Sequence, residues 1–384
     1  MDINSILSNH DTFKAHQLKD RFFKHSDVMD LLSKLSANFK ISKLGDSYNG
    51  KSINLVKWGN GKIKVMLWSQ MHGDEATGTM ALFDLFNFLQ SDNELVKELN
   101  TNCQLFIIPM VNPDGAEIFT RRNAQQIDIN RDYLKQASKE AQILKNARDE
   151  IKPKFGFNLH DQTTLWSVSK SLKPATLSFL APAYDEELNV NETRESAMLV
   201  IAKIFDEINA FLPGQIGLFD DEFEPRAFGD NFQKAGTSTI LIEAGGFKDD
   251  LEKQQIRKYY FGSILSGLNA ISSKSYQQKK LANYFTIPKN NKQIFHVLIH
   301  NVMLNDIEVS IGINYEECPT KCGLTTERIY SIEDIGDLSF CDAYKVFSIA
   351  HLKIKGNIEI FKRAHFSLLQ GDSTILSFQN GILL

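Results

Sequence analysis

KIKVMLWSQMHGDEATGTMALFDLFNFL, residues 62–89, is an apolar run that stops at a Ser-Gln pair, turns through His-Gly-Asp-Glu, and continues with apolar residues every three to four positions. The first part, 62–69, reads as a buried strand. In the last part Leu82, Leu85, Phe86 and Leu89 share one helical stripe, over 80–89. Strand, short polar turn and helix form the unit of a parallel sheet covered by helices. Working outward, similar runs at 52–58, 103–111, 155–159, 176–180 and 238–242 are rich in Ile, Val, Leu and Phe, and further helical stripes fall at 198–211 and 251–271. The expected fold class is therefore α/β over residues 46–271, with a mixed, largely parallel sheet sandwiched by helices. A helical lead is expected at 1–45. The polar stretch SSKSYQQKK marks a linker at 272–284, and strand-like runs at 293–304, 306–315, 343–354, 358–366 and 373–378 predict a small antiparallel β domain over 285–384.

Composition limits what such a chain can be. It has 384 residues, 42% hydrophobic and 23% charged, with only 9 Pro and 22 Gly, which excludes disordered and collagen-like classes. The net charge of −4 provides no basic field for holding nucleic acid, so no nucleic-acid partner is expected. No membrane partner is expected either: the most apolar helical stretch is interrupted by Asp84 and is shorter than the roughly 20 residues a span needs. The N-terminus lacks the basic start and apolar core of a secretory signal. Four cysteines, Cys103, Cys318, Cys322 and Cys341, are too few for a disulfide scaffold and suit a reducing compartment, so the expected location is cytoplasmic. The sequence carries no signal for an oligomeric state.

The chemistry gathers at strand ends. His72-x-x-Glu75 alone is weak, because a chain with 9 His and 47 acidic residues contains about one His-x-x-acid pair by chance. Its position immediately after a buried strand is informative, since open α/β sheets place their ligand crevice there. The pair offers one imidazole and one carboxylate to a single ion. The run 103–111 leads into Asn112-Pro113-Asp114-Gly115 and then AEIFTRRNAQQIDINRDY, the run 155–159 leads to His160, and the run 238–242 leads to Glu243 beside Gly245 and Gly246. Four strand ends thus bring His, Glu, Asn, Arg, His and Glu to one edge of the sheet.

In this order the motifs resemble the zinc carboxypeptidases of the carboxypeptidase A-like family. They are His72-x-x-Glu75, Asn112-Pro113-Asp114-Gly115, Arg121 with Asn123-Ala124, Asp128-Ile129-Asn130-Arg131, His160 and Glu243-Ala244-Gly245-Gly246, across about residues 50–270. The Arg-x-Asn-Ala spacing is most similar to the regulatory carboxypeptidase branch. The resemblance implies one zinc ion per chain bound by His72, Glu75 and His160, with the fourth position open as catalytic zinc requires. It implies Glu243 as general base and proton shuttle, and Arg121 as stabiliser of the oxyanion, with Arg122 a possible substitute. Asn130 and Arg131 would clamp the free C-terminal carboxylate of a peptide substrate, which makes an exopeptidase. A small transthyretin-like β domain follows the catalytic one in regulatory carboxypeptidases, and the domain order here is similar.

Departures from the family and alternative readings bear on this picture. The family's tyrosine in a mobile loop before the catalytic glutamate has no counterpart between Tyr184 and Glu243, where Phe219, Phe223 and Phe228 stand instead. The short interval from His72 to His160 is similar to that of deacylases of the aspartoacylase and succinylglutamate desuccinylase type, the alternative enzyme. A catalytically inactive peptide-binding module is the alternative outside enzymes. Within 220–232, DDEFEPRAFGDNF, Arg226 is expected to bind substrate and favour an acidic C-terminal residue, against pairing with its acidic neighbours. His296 and His300 fall in a strand-like run, where a four-residue separation spans about 13 Å, so a structural role is expected. Cys318 and Cys322 are expected as reduced thiols, and His10, His16 and His25 on a solvated face of the lead.

Overall fold

A computed structural model describes residues 3–169, 171–304, 307–348 and 352–384. Strands β1 (Lys40–Asp46), β2 (Ser52–Trp58), β3 (Ile63–Ser69), β4 (Cys103–Ile108), β5 (Phe155–Asp161), β6 (Ser167–Val168), β7 (Leu177–Leu180), β8 (Ile216–Leu218) and β9 (Ser238–Ala244) come first. All but β6 join one sheet in the order β1-β2-β4-β3-β5-β9-β7-β8. β3 is parallel to both β4 and β5, β5 to β9, and β7 to β8, while β1–β2, β2–β4 and β7–β9 are antiparallel. The sheet is mixed with a parallel centre, as the buried apolar runs imply.

Alternation along the strands builds two helical layers. Val65 and Leu67 of β3 face a large core with helices Thr77–Phe88, Glu94–Asn102, Glu192–Ile208 and Gln254–Ser272. Met66 and Trp68 face the opposite core, covered by helices Lys139–Ile151 and Phe228–Lys234. A Ser or Asn side chain starts several of these helices: Ser138 accepts from Ala141 N and Asn191 from Arg194 N.

The lead departs from the expected helical segment. Helices Ile3–Ser8 and His25–Ser33 are present, but β1 begins within it and forms a sheet edge. Its strand character is hidden because its side chains are largely exposed, so no apolar alternation marks it. Ile3, Leu7, Leu18 and Leu31 belong to the main core. His10, expected in solvent, is buried, with Nε2 2.8 Å from Asp84 Oδ2. Asp84 is fully buried, accepts from Ala15 N (2.7 Å) and Arg257 Nε (2.7 Å), and also binds Arg257 Nη2. Arg257 in turn donates to Leu18 O at 2.6 Å. The residue that interrupts the apolar helix is thus half of a buried ion pair that ties the lead to two helices. The polar stretch at 272–284 is likewise packed, with Tyr276 and Tyr284 in the main core.

The C-terminal region contains β10 (Asn290–Asn291), β11 (Ile294–Leu304), β12 (Ile307–Pro319), β13 (Thr326–Gly336), β14 (Asp342–Phe347), β15 (Leu352–Asn357), β16 (His365–Gln370), β17 (Ser373–Gln379) and β18 (Ile382–Leu383). β10 pairs with β6, and the remaining eight strands form a second sheet. That sheet is antiparallel except that β11 is parallel to β14 and β15. The run at 343–354 is therefore two strands, with 349–351 outside the described residues, as are 305–306 at the start of the run 306–315. Its own core holds Val297, Ile313, Leu352, Phe366, Leu368 and Phe378. The domain rests directly on the strand ends of the first sheet: Tyr344 OH donates to Thr164 O (2.6 Å), and His296 Nε2 lies 2.8 Å from Thr164 Oγ1. Gly246 permits the contact, because a Cβ there would meet the Tyr344 hydroxyl at 1.7 Å. His296 Nδ1 accepts from Tyr315 N, and His300 Nδ1 lies 2.9 Å from Ser310 Oγ. The four cysteines are unpaired.

Candidate active site

The loops after β3 and β4 run side by side. Val111 N donates to Ser69 O (3.1 Å) and Asn112 N to Gln70 O (2.9 Å). Gly73 and Gly115 make the approach possible, since a Cβ on Gly73 would come within 2.1 Å of the Gly115 carbonyl carbon. Asn112 then organises the second loop: its side chain accepts from Gly115 N (2.9 Å) and donates to Arg121 O (3.3 Å). Asn123 holds the following turn through Gln125 N and Ile127 N. On the other side of β3, parallel pairing of β5 with β9 places His160 and Glu243 in register.

These elements bring His72, Glu75 and His160 together as buried neighbours, with one ligand atom from each lying within 4.8 Å of the others. Both imidazoles turn Nδ1 toward Glu75, His72 to Oε1 and His160 to Oε2, each at 2.6 Å. Asp128 closes the outer side: Oδ1 is 3.1 Å from His72 Nε2, and Oδ2 accepts from Arg121 Nε at 3.0 Å. Arg121 Nη1 lies 3.3 Å from Glu75 Oε1 and 3.2 Å from His72 Nδ1. Two imidazole nitrogens and a carboxylate, brought together by the loop after β3 and the end of β5, are the donor set of catalytic zinc sites. The carboxylate behind His72 supplies the outer hydrogen bond that orients such ligands. The residues present therefore fit a zinc ion.

Electrostatics separates the two histidines. Burial opposes charge on both, but His72 faces Glu75 and also Asp128, which together lift its pKa to about 9. For His160 burial prevails over Glu75, and its pKa is lowered. Burial also opposes the Glu75 charge, yet His72 and His160 outweigh it and hold the carboxyl well below its ordinary range. Glu243 behaves oppositely: burial, then repulsion from Glu75 and Asp161, pushes it well above the usual carboxylate value. Its Oε2 is buried with no hydrogen-bond partner among the described residues. Two carboxyls in one site, with environments that drive their pKa values apart, differ in what they can do: one stays charged and one can carry a proton. Beneath them Asp161 N donates to Glu75 Oε2 (3.1 Å), and Lys253 Nζ bridges Asp161 Oδ2 and Ala244 O at 3.0 Å each.

A cleft of about 350 Å³ opens over this group, and Asn130, Arg131, Trp166, Phe219 and Leu241 line it with the residues above. Asn130 Oδ1 accepts from Phe228 N (3.0 Å), which fixes that residue against the short helix. Arg131 reaches Glu224 through Nε at 3.2 Å. Arg226 is not brought into the cleft. Its Nε and Nη2 grip the two oxygens of Glu224 at 2.8 and 2.6 Å, and its side chain is 55% exposed. The local ion pair, two residues apart, wins over an inward fork because it leaves the guanidinium in water. Of the three phenylalanines standing in for a loop tyrosine, Phe219 lines the cleft, edge-on to Trp166 at 5.5 Å. Phe228 is core. Asp128 is the functional neighbour that sequence reading left without a role, although it sits two residues before Asn130 in a motif already singled out.

A zinc carboxypeptidase family model matches residues 26–173. Among curated proteins, carboxypeptidase 2 of Trichophyton rubrum is 28% identical over 102 residues, which is 27% of this chain and 19% of that protein. Mouse carboxypeptidase Z is 26% identical over 142 residues, 29% of this chain and 22% of that one. The match thus spans about a fifth of the length of these relatives. Among solved structures, a Burkholderia cenocepacia metallo-carboxypeptidase superposes with a TM-score of 0.54 at 15% identity, covering 66% of this chain and 70% of its own. Bovine thrombin-activatable fibrinolysis inhibitor, in complex with tick carboxypeptidase inhibitor, gives 0.55 at 13% identity, covering 69% and 100%. These two likenesses extend the shared fold well beyond the matched segment.

Proposed function

The matches support membership of the zinc carboxypeptidase family, and from that premise we propose that the chain is a metallocarboxypeptidase that removes the C-terminal residue of peptides. The observation that carries the proposal is the convergence of His72, Glu75 and His160, with Glu243 in register beside His160. His72, Glu75 and His160 would hold one zinc ion. Bound there, zinc supplies Lewis acidity, polarising a carbonyl and making water a nucleophile near neutral pH. Glu243, buried and unpartnered at Oε2, takes the proton from the attacking water and returns it to the departing amine. Arg121, kept in place by Asp128, directs positive charge toward the oxygen that becomes anionic at the tetrahedral stage. Arg131 receives the substrate's terminal carboxylate in competition with Glu224, its partner in the free protein, and Asn130 lies beside it in the cleft wall. The four unpaired cysteines accord with a reducing compartment, and a cytoplasmic location is part of the proposal.

The decisive experiment is mass spectrometry of zinc-loaded protein incubated with mixed peptides and N-acyl amino acids. Loss of single C-terminal residues is expected. Cleavage confined to N-acyl amino acids would assign the deacylase reaction instead, and binding of peptides without cleavage would make the chain an inactive module.

A further inference from the structure

Glu243 takes its position from its backbone, because its buried Oε2 has no hydrogen-bond partner among the described residues. The carbonyls on either side of it are held by helix Gln254–Ser272 and the residue that precedes it. Tyr260 OH donates to Ile242 O (2.7 Å), and Lys253 Nζ donates to Ala244 O (3.0 Å), which also accepts from Gln162 N (3.0 Å). The same two side chains reach across to β5. Tyr260 OH lies 3.3 Å from His160 O, and Lys253 Nζ donates to Asp161 Oδ2 at 3.0 Å. His160 is in register with Glu243 and Asp161 with Ala244, and there the β5–β9 ladder ends. The residues assigned to the chemistry thus stand at its last rungs, where strands open most easily. Lys253 and Tyr260 bracket those rungs from one helix.

Asp161 extends this brace to a third segment. Its Oδ2 also accepts from Thr77 Oγ1 (2.6 Å), two residues beyond Glu75, and its N–H donates to Glu75 Oε2 (3.1 Å). The helix end that carries Lys253 is itself fixed. The Asp250 carboxylate accepts from Gln254 N (2.8 Å), Gln255 N (2.8 Å) and Ile256 N (3.0 Å), and Arg257 forms the buried pair with Asp84. As a stabilising device the Lys253–Asp161 pair is a poor choice. The two side chains are only 8% and 6% exposed, so desolvation takes back much of their attraction. Lys253 also stands at φ 52°, in the left-handed region that a lysine disfavours. What the ammonium supplies is geometry: it gathers several donors at one point, and here it ties the end of β5 to the end of β9.

We propose that Lys253 and Tyr260 are positioning residues, which fix the base Glu243 relative to the metal ligands His160 and Glu75 through the last rungs of the β5–β9 ladder. This inference rests on the zinc-hydrolase reading of the site, and it holds for a peptide or an N-acyl amino acid alike. A displacement of about 1 Å in a reacting group can cost about 10²-fold in rate. The brace therefore acts on turnover rather than on substrate binding.

The test uses the full zinc-loaded chain. Lys253→Met nearly keeps the length of the side chain and removes the ammonium. It should retain one zinc per chain and a KM within about threefold of the parent, and lose about 30–100-fold in kcat. Tyr260→Phe leaves the ring in the core and should lose about fivefold in kcat. It strands no charge, and so carries the test by itself if Lys253→Met does not fold. Lys253 lines a cavity of about 280 Å³ between the domains, which Glu317 of β12 also lines, so a small amine can reach its place. Propylammonium added to Lys253→Ala should therefore raise kcat about tenfold, and propanol, of the same size, should not. A kcat within about twofold of the parent in both Lys253→Met and Tyr260→Phe overturns the brace. So does a loss that merely follows zinc content, or one that propylammonium leaves untouched. Should the parent cleave neither peptides nor N-acyl amino acids, the hydrolase reading fails separately, and hydrogen exchange on the metal-free chain still decides the brace. In Lys253→Met the Gln162 amide, which donates to Ala244 O, should exchange about tenfold faster, while those of Phe157 and Ile240, deeper in the ladder, keep the parent rate. Uniform acceleration, or none, refutes it.

Discussion

At the residue scale the site separates holding from reacting. Glu75 stays charged between two imidazoles, and Glu243 is pushed toward its protonated form by burial and by Glu75. Glu243→Gln keeps the shape and removes the base, so it should retain one zinc per chain by elemental mass spectrometry and lose about 10²–10⁴-fold in kcat. A variant that instead loses its zinc would recast Glu243 as a ligand. Arg226→Ala should leave the ranking of peptides ending in Glu, Lys and Phe unchanged, because its guanidinium is spent on Glu224 at the surface. A lost preference for Glu would return Arg226 to the pocket. The contrast shows what a sequence can reveal. His72, Glu75, His160 and Glu243 were legible because each ends an apolar strand, and strand ends of a parallel sheet share an edge. The place of Arg226, outside the cleft and on Glu224, was not legible, because it is settled by a rotamer choice between Glu224 and a cavity, which no periodicity records. Asp128 was missed for a related reason: its value lies in touching His72 and Arg121 at once.

At the scale of elements, the central strands and their covering helices were legible from apolar runs and stripes, whereas β1 was not. Its place in the sheet comes from the backbone ladder with β2, while its side chains stay exposed or half-buried. The Asp84–Arg257 pair is also invisible in a linear reading, since its members are 173 residues apart on helices Thr77–Phe88 and Gln254–Ser272. Arg257→Met strands a carboxylate at a position with no exposure, and should destabilise the protein by about 3–5 kcal/mol in a denaturant titration. Adding Asp84→Leu should recover part of that loss, because the buried charge is gone, while Ala15 N, His10 and Leu18 O stay without their partners. A single variant as stable as the parent would show that His10 and Ala15 N suffice to satisfy Asp84.

At the scale of the whole molecule, the mounting of one domain on the other follows from contacts at Thr164, Gly246 and β12, none of which the polar stretch at 272–284 announced. His296 sits in that mounting, stacked on Tyr315 with ring centres 3.6 Å apart, with the Tyr344 ring 5.7 Å away and Thr164 at its Nε2. Burial lowers its pKa to about 3, with Arg328 adding to the effect and Glu317 opposing it. The unfolded chain takes up this proton as pH falls through about 6.5, but the folded one does not until about pH 3. The resulting stability is complete above the higher value and is lost progressively between the two. Melting curves should therefore show the gap between parent and His296→Asn narrowing as pH drops from 7 to 4; a constant gap would clear His296 of the role. The ion pair between Asp84 and Arg257 has a further consequence in time. At roughly 5–20 residues per second of synthesis, the arginine leaves the ribosome roughly 9–35 s after the aspartate. Throughout that interval the nascent front half carries an acid that belongs in a dry interior, with His10 and Ala15 N to meet it but without its guanidinium partner. The chain is thereby biased to wait, keeping its first helices in water until Arg257 arrives, so a truncated transcript ending before it should yield a protease-sensitive product rather than a half-built enzyme.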